Sequence, residues 1–314
     1  MSQYYRGADD ITAVAVIGAG LIGSGWIATF LANGLAVSVF DPSPGAEADT
    51  RERLDNAWPL IERLGLPPRA NRSALSFHAT VEEALARADF VQENVPERLD
   101  LKMALYRELD GHAAPDVLIA SSTSSFAITD LQKACAHPQR CLLGHPINPV
   151  HLVPLVEIAG GETTAPAAID AAIAFYTRLG KKPARLQREV FGHVANRLAA
   201  AMFQEAVHLV SEGVIGAAAL DDVIRYGPAL KWVIQGQYLT YHTSGGAQGI
   251  AGFLDHFGPG QMRRWRDLGR PNLTEAATRD KIVAGVEQEA AGRSVGEITA
   301  AQDEALVALR RLLG

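Results

Sequence analysis

Two ionisable side chains interrupt neighbouring apolar segments in the middle of the chain. His145 follows the apolar run Cys141 to Gly144, and Glu157 lies within the apolar segment Leu155 to Ala159. A carboxylate is costly to bury without a partner. On neighbouring strands, a glutamate can fix the tautomer of a histidine and raise its basicity, which suits a general base. The residues alone equally allow a core histidine and an exposed glutamate on an edge strand.

A second chemical signature lies near the N-terminus, where Ile11 to Phe40 contain no charged side chain and Asp41 follows. The run is long enough for a membrane span, but glycines interrupt it and no basic flank or signal-peptide pattern accompanies it. It divides instead into a strand, a glycine turn, a helix and a second strand. Gly18 permits the tight turn, Gly20 lets a pyrophosphate approach the backbone, and Gly23 lets the helix pack on the strand.

The helix after this turn presents free N–H groups and a positive dipole end to a phosphate. We therefore expect cofactor binding by the turn residues Gly18, Gly20, Leu21, Ile22 and Gly23. Asp41 ends the second strand, where its carboxylate can accept ribose hydroxyls and repel a 2′-phosphate. The pattern predicts NAD rather than NADP. A glycine-rich turn with a purely structural role is the alternative.

Composition limits the remaining possibilities. The 314 residues carry a formal net charge of -6, which gives no basic footprint for nucleic acid or an anionic membrane. Cys135 and Cys141 lack CxxC spacing, which argues against a zinc site and is typical of a protein in the reducing cytoplasm. The nine histidines include no HExxH cluster, so we expect no metal. No targeting segment is apparent, and we expect a cytoplasmic location.

Strand and helix patterns alternate up to about residue 186 and then become helical. Strands are predicted at Ala13 to Ile17, Leu35 to Phe40, Ala74 to Phe77, Phe90 to Glu93, Val117 to Ser121, Cys141 to Gly144, Leu155 to Ala159 and Pro183 to Leu186. Helices are predicted at Leu21 to Asn33, Ala46 to Leu64, Val81 to Ala88, Asp100 to Asp110, Thr129 to Ala136, Pro166 to Leu179, Val194 to Glu212 and Ala217 to Tyr226. This order predicts an α/β fold: a Rossmann-type, doubly wound, mostly parallel sheet in residues 1–189, then an all-helical C-terminal domain in residues 190–314.

Five motifs resemble the 3-hydroxyacyl-CoA dehydrogenase superfamily in order and nearly in spacing, over almost the whole chain. They are the glycine turn, ADFVQENVPERLDLK, SSTSS, GHPINPVHLVPLVEIAGG and GHVANRL. The resemblance implies that His145 is the catalytic base and Glu157 its partner. It further implies that Ser124 and Asn196 contact the reacting oxygen, that Asn148 lies beside the nicotinamide, and that Glu97 and Lys102 line the cofactor site with Asp41.

Each of these roles has a structural alternative. Ser124 could cap the helix after it, and Asn196 could cap the long helix that begins nearby. Glu97 and Lys102 could form a solvated pair at a helix start. The chain also departs from the family pattern PGF, since Phe191, Gly192 and His193 stand there.

The resemblance implies NAD-dependent oxidation of a secondary alcohol, in which His145 takes the hydroxyl proton as the hydride leaves. Within the family, HPINP at residues 145–149 and YGPALKWVIQGQYLTYHTSGG at residues 226–246 resemble the branch of L-carnitine dehydrogenase and lambda-crystallin, an L-gulonate dehydrogenase. We therefore expect a small 3-hydroxy acid as substrate, L-carnitine first, then L-gulonate or 3-hydroxybutyrate. A 3-hydroxyacyl-CoA dehydrogenase and a noncatalytic, crystallin-like NAD-binding protein are the alternatives.

Aromatic residues cluster in this same segment. Trp232, Tyr238 and Tyr241 could hold a trimethylammonium group by cation–π attraction, while Lys231 or Arg225 receives a carboxylate. Alternatively, these rings pack between helices or across a dimer interface. The family resemblance implies a homodimer formed through the C-terminal helical domain.

Overall fold

The structure, a computed structural model, describes residues 5–313. The chain folds into two compact units. The first unit runs to Asn196 and includes the C-terminal segment Gln302–Leu312, and the second comprises Arg197–Ala301. The change from alternating strands and helices to helices alone thus coincides closely with the division of the chain.

An eight-stranded sheet organises the first unit in the order β3-β2-β1-β4-β5-β6-β7-β8. Its strands are β1 (Ala13–Ile17), β2 (Ala36–Phe40), β3 (Leu75–Phe77), β4 (Phe90–Glu93), β5 (Leu118–Ser121), β6 (Cys141–Pro146), β7 (Leu155–Gly160) and β8 (Lys182–Arg185). All neighbouring strands are parallel except β6 and β7, which pair antiparallel. The expected Rossmann-type, mostly parallel sheet is confirmed.

Helices cover both faces of this sheet. They are α1 (Leu21–Ala32), α2 (Ala46–Leu64), α3 (Val81–Leu85), α4 (Leu99–His112), α5 (Ile128–Gln132) and α6 (Pro166–Arg178). Because side chains alternate along a strand, Val14 and Val16 enter the core beneath α1, α2 and α6, whereas Ala15 and Ile17 enter the core beneath α3, α4 and α5. Helix α1 is uncharged because nearly all of it is buried against the sheet and its neighbours.

The second unit contains only helices within the described residues. The helices that lie wholly or partly in it are α7 (His193–Ser211), α8 (Ala217–Tyr226), α9 (Pro228–Ser244), α10 (Gly249–Asp267), α11 (Ala276–Ala290) and α12 (Val295–Leu313). Helix α7 starts in the first unit, and α12 returns to it. Helix α9 is interrupted at Gly236, whose φ of 74° lies in the left-handed region. No helix in residues 5–313 combines the length and apolarity needed to cross a membrane.

Candidate active site

The histidine and glutamate singled out by sequence face each other across the antiparallel pair of strands. His145 on β6 lies directly opposite Glu157 on β7, and both side chains are buried. The imidazole Nδ1 lies 2.9 Å from Glu157 Oε2. Because a carboxylate only accepts, Nδ1 carries the proton and Nε2 is the nitrogen that can take one. The structure therefore brings the predicted pair together, and the catalytic role of His145 remains a prediction.

The second oxygen of Glu157 is held by the start of helix α7. The backbone N–H groups of Val194 and Ala195 each donate to Oε1 at 2.9 Å. These are first-turn donors with no intrahelical partner, and the positive end of the helix dipole favours a negative charge there. Burial acts to raise the pKa of Glu157, but the hydrogen bonds from His145, Ala195 and Val194 outweigh it and lower that pKa. Glu157 is therefore ionised at neutral pH.

The glycine turn has the shape that a dinucleotide requires. Gly18 has a φ of +90°, and a Cβ there would lie 2.8 Å from the backbone of Asn94. A Cβ on Gly23 would lie 1.9 Å from the Gly18 carbonyl oxygen, so helix and turn touch there. A Cβ on Gly20 meets no protein atom within 4 Å. The protein itself does not need glycine at position 20, and the open space suits the approach of a pyrophosphate.

Asp41, directly after β2, is hydrogen-bonded to the glycine turn. Its Oδ2 accepts a hydrogen bond of 2.7 Å from the backbone N–H of Ala19, and its Oδ1 accepts one of 2.9 Å from Ser43. The carboxylate is thereby fixed beside the glycine turn, and each oxygen keeps a lone pair for a ribose hydroxyl. With Gly20 and the free N–H groups of α1, it forms a fitting cradle for NAD.

Glu97 organises the serine-rich loop after β5. Its Oε1 accepts hydrogen bonds from Thr123 Oγ1 at 2.5 Å, from Ser124 N at 3.0 Å and from Ser125 N at 2.8 Å. Burial acts to raise the pKa of Glu97, yet the bond from Thr123 and the charge of Lys102 lower it overall. Glu97 therefore fixes the backbone that carries Ser124.

Lys102 is not a solvated partner of Glu97. The Lys102 side chain is buried, its Nζ lies 2.7 Å from Glu93 Oε1 and 3.4 Å from Glu97 Oε2, and it donates to the Val95 carbonyl at 3.0 Å. The solvated helix-start pair considered from sequence is therefore wrong, because the lysine lies inside a buried charge network. Whether Lys102 and Glu97 contact the cofactor remains a prediction.

Glu93, to which the sequence analysis gave no role, also supports the site. Glu93 is fully buried at the end of β4 and accepts a hydrogen bond of 2.5 Å from Ser121 Oγ in addition to the Lys102 contact. A glutamate inside the apolar strand FVQE carries the same signal that drew attention to Glu157.

His193 is the other missed residue. Its buried ring lies 4.9 Å from that of His145, centroid to centroid, and its Nε2 donates to the Thr123 carbonyl at 2.9 Å. The pKa of His193 is lowered, mainly because the ring is buried. The departure from the PGF pattern was the available signal, since a histidine there links the start of α7 to the serine loop.

The remaining predicted residues lie at more exposed positions. Asn148 follows β6 on an exposed loop, and Asn196 is exposed in the first turn of α7. Trp232, Tyr238 and Tyr241 lie on α9 in the second unit; Tyr238 is 85% exposed, and Tyr241 stacks on Phe253 at 4.6 Å. For Tyr241, helix packing explains the ring without a substrate. The substrate and cofactor roles of these five residues remain predictions.

The candidate site residues of the first unit lie at the carboxyl-terminal ends of the sheet's parallel strands. The glycine turn, Glu97, the serine loop and His145 all follow or end parallel strands at their carboxyl ends, where open α/β sheets bind ligands. A base nitrogen and a dinucleotide cradle at one edge define the class as an NAD-dependent dehydrogenase of the Rossmann type.

The chain belongs to the 3-hydroxyacyl-CoA dehydrogenase family. The model of the family's NAD binding domain matches residues 13–190, and the model of its C-terminal domain matches residues 192–283. The resemblance inferred from the five motifs is thereby confirmed.

Known relatives resemble the chain over nearly its full length. It is 46% identical to an L-carnitine dehydrogenase of Pseudomonas aeruginosa over 96% of this chain and 93% of the relative. It is 44% identical to an L-carnitine dehydrogenase of Streptomyces griseus over 98% of this chain and 91% of the relative.

Solved structures extend the comparison. A 5-formyl-3-hydroxy-2-methylpyridine 4-carboxylic acid 5-dehydrogenase, described as NAD+ dependent, has a TM-score of 0.80 at 29% identity and covers 96% of this chain and 98% of that one. The (S)-3-hydroxybutyryl-CoA dehydrogenase of Ralstonia eutropha has a TM-score of 0.63 at 29% identity and covers 69% of this chain and 77% of that one.

Proposed function

We propose that the protein oxidises the secondary alcohol of a small 3-hydroxy acid to the 3-keto acid with NAD, and that L-carnitine is its preferred substrate. The observation that carries the proposal is the His145–Glu157 pair, 2.9 Å apart, at the sheet edge that also carries the glycine turn. A noncatalytic NAD-binding protein has no need for a buried, charge-supported base at this place.

His145 supplies the proton acceptor. The substrate hydroxyl donates to Nε2 while Glu157 holds Nδ1–H, so that the imidazole can accept the proton and carry a positive charge beside a carboxylate. Gly20 and Asp41 would hold NAD, which would supply the hydride acceptor for the C–H bond of the carbinol carbon. Ser124 is proposed to position the substrate oxygen, with its backbone fixed through Glu97. In the reverse direction the protonated His145 returns the proton to the ketone oxygen.

L-Carnitine is favoured because several relatives that match nearly the full chain are L-carnitine dehydrogenases. L-Carnitine carries a trimethylammonium group and a carboxylate on either side of its hydroxyl carbon. Trp232 and Tyr238 on α9 are proposed to receive the ammonium group by cation–π attraction, and Lys231 or Arg225 the carboxylate. Asn196 is proposed to contact the reacting oxygen and Asn148 to lie beside the nicotinamide.

A substrate panel tests this proposal. Purified protein with NAD is given L-carnitine, L-gulonate, 3-hydroxybutyrate or 3-hydroxybutyryl-CoA, and NADH absorbance is followed. We expect the highest kcat/KM with L-carnitine. His145→Ala should abolish NADH formation, whereas His112→Ala, the same change at an exposed position on α4, should leave it intact. Faster turnover of the CoA thioester than of every free acid contradicts the substrate proposal, and turnover surviving in His145→Ala contradicts the base.

We also propose that the protein is a cytoplasmic homodimer that associates through its helical domain. Helices α7, α8 and α11 form an apolar groove of about 310 Å³, and Phe203 in its wall is 52% exposed. Exposed contiguous apolar surface marks interaction sites. Phe203→Glu is expected to convert a dimer to a monomer in analytical ultracentrifugation. A wild-type protein that sediments as a monomer at micromolar concentration contradicts the proposal.

A further inference from the structure

A polar cavity of about 340 Å³ lies in the first unit at the far end of helix α1. The glycine turn precedes α1, and the cavity is lined by its last residues, so the 12-residue helix separates the two places by about 18 Å. The cavity therefore belongs to neither the dinucleotide cradle nor the His145 site.

The wall of this cavity is strongly cationic. Arg69, Arg178, Lys181 and Arg310 line it together with His151, and no aspartate or glutamate lies among its described lining residues. Asp9, exposed in the short 3₁₀ helix Ala8–Asp10 outside the cavity wall, acts electrostatically on Arg178. Positive charge from two helices and two loops thus converges on one space whose described wall contains no carboxylate.

Neutral carbonyl groups and aromatic rings are the partners of Lys181, Arg178 and Arg310. Lys181 is buried and donates to the carbonyl oxygens of Val150 and Val153, the latter at 3.2 Å. Arg310 donates to the Leu152 carbonyl at 3.1 Å. Carbonyl dipoles stabilise a cation, but they leave the net charge of the cavity positive.

Arg178 and Arg69 extend this pattern. Arg178 donates to the carbonyls of Ala8 and Ile11, the latter at 2.9 Å. Arg69 is exposed, and no carboxylate pairs with it in residues 5–313. The two guanidinium groups therefore add two positive charges that no acidic side chain in the cavity wall balances.

Two nitrogen atoms in the wall lack a hydrogen-bond partner although they are buried: Arg178 Nε and His151 Nε2. Unpaired buried polar atoms in native proteins are rare and costly. Burial, and then the charge of Arg310, lower the pKa of Lys181 to about 7, and burial with Lys181 lowers the pKa of His151 to about 4. Burial is the larger cause in both cases, and the smaller second cause shows that positively charged groups in the wall lie close enough to act on Lys181 and His151.

We propose that this cavity binds a small oxyanion of the phosphate type, held by the guanidinium groups of Arg69, Arg178 and Arg310 and by the Lys181 ammonium. Guanidinium groups match phosphate oxygens in a forked geometry, and charge-assisted bonds are the strong ones. An anion there would neutralise the clustered charge. The size of the cavity admits a pyrophosphate as well as a single phosphate.

Isothermal titration calorimetry with inorganic phosphate and pyrophosphate tests the proposal. The protein is kept saturated with NADH, so that the glycine turn is occupied, and chloride of equal ionic strength is the blank. We expect pyrophosphate to bind more tightly than phosphate. Binding should raise the pKa of Lys181 and so take up protons near pH 7, which appears as a dependence of the heat on the ionisation enthalpy of the buffer.

Variants that each remove one positive charge distinguish anion binding in the cavity from nonspecific electrostatic binding. Arg69→Gln and Arg310→Gln should each weaken pyrophosphate binding by about tenfold, as expected for loss of one charge-assisted contact. Arg107→Gln, which removes the same charge from the exposed face of α4, should change it by less than about twofold. The proposal is overturned if NADH abolishes anion binding, if the NADH-saturated protein binds no pyrophosphate, or if all three variants weaken binding equally.

Discussion

Replacing Glu157 by glutamine removes one negative charge from a side chain whose two oxygens both have partners. Glutamine has a single carbonyl oxygen, which can accept either from His145 Nδ1–H or from the Val194 and Ala195 amides, but not from both. If its NH₂ group turns toward His145, it favours the tautomer with the proton on Nε2, which cannot act as a base.

The size of the effect follows from the charge that His145 acquires during the reaction. Losing one partner of a buried ion pair costs about 3–5 kcal/mol, and each 1.4 kcal/mol is about tenfold in rate. We therefore expect kcat/KM to fall by about 10²- to 10⁴-fold in Glu157→Gln. Because the nucleotide cradle is untouched, the dissociation constant of NADH should stay within about twofold of the wild-type value.

Initial rates of NADH formation measure kcat/KM, and NADH fluorescence titration measures binding. Glu162→Gln is the matched control, since it makes the same chemical change at an exposed position in the loop after β7. Its kcat/KM should remain within about twofold of the wild-type value. A Glu157→Gln enzyme that folds, binds NADH and retains more than about a third of the wild-type kcat/KM refutes the assignment of Glu157 as the support of the base.

Four further expectations concern the cofactor cradle and the base. Asp41→Ala should lower the ratio of kcat/KM with NAD to that with NADP by about tenfold or more; an unchanged ratio contradicts the ribose contact. Gly20→Ala should weaken NADH binding without changing the Tm of the free protein, whereas Gly23→Ala should reduce both, as calorimetry and NADH titration will show; equal Tm losses in the two contradict the cradle. His193→Phe should cost about 1–3 kcal/mol in the free energy of unfolding, measured with urea, because a buried carbonyl loses its donor; an unchanged value contradicts this. Folding lowers the pKa of Glu157, so its ionised form contributes stability that is present above its ordinary pKa of 4.5 and is lost as the pH falls through the lowered pKa. The wild type should therefore lose more stability on acidification than Glu157→Gln. Parallel pH profiles of the two proteins contradict this.

The N-terminal elements could be predicted from sequence because their signals are local. Strand β1 and helix α2 have the predicted bounds, and α1 ends one residue earlier than expected. An apolar strand, a glycine turn and a helix start are consecutive in the chain, so each constrains the next. The pairing of His145 with Glu157 was one of two interpretations that the residues alone allowed, and the family resemblance favoured it because a buried carboxylate demands a partner.

The order and direction in which strands pair were harder to predict from the sequence. The sequence predicts β6 and β7 as strands, but nothing in their patterns states that they run antiparallel, and that direction is what places position 145 opposite position 157. Contacts between buried charged residues that are distant in the chain cannot be predicted for the same reason. Lys102 reads as a surface residue near a helix start, and only the folded sheet reveals that it lies against Glu93.

The dual bonding of Glu157 limits how this protein can change over evolutionary time. A descendant that gave up catalysis and served only as a bulk protein could replace His145 by another side chain that donates a hydrogen bond to Glu157 Oε2. It could not discard Glu157 so easily, because the amides of Val194 and Ala195 would then lose their acceptor and the long helix its anchor. A retained glutamate at this position is therefore a poor sign of activity in a descendant, whereas a retained histidine is informative.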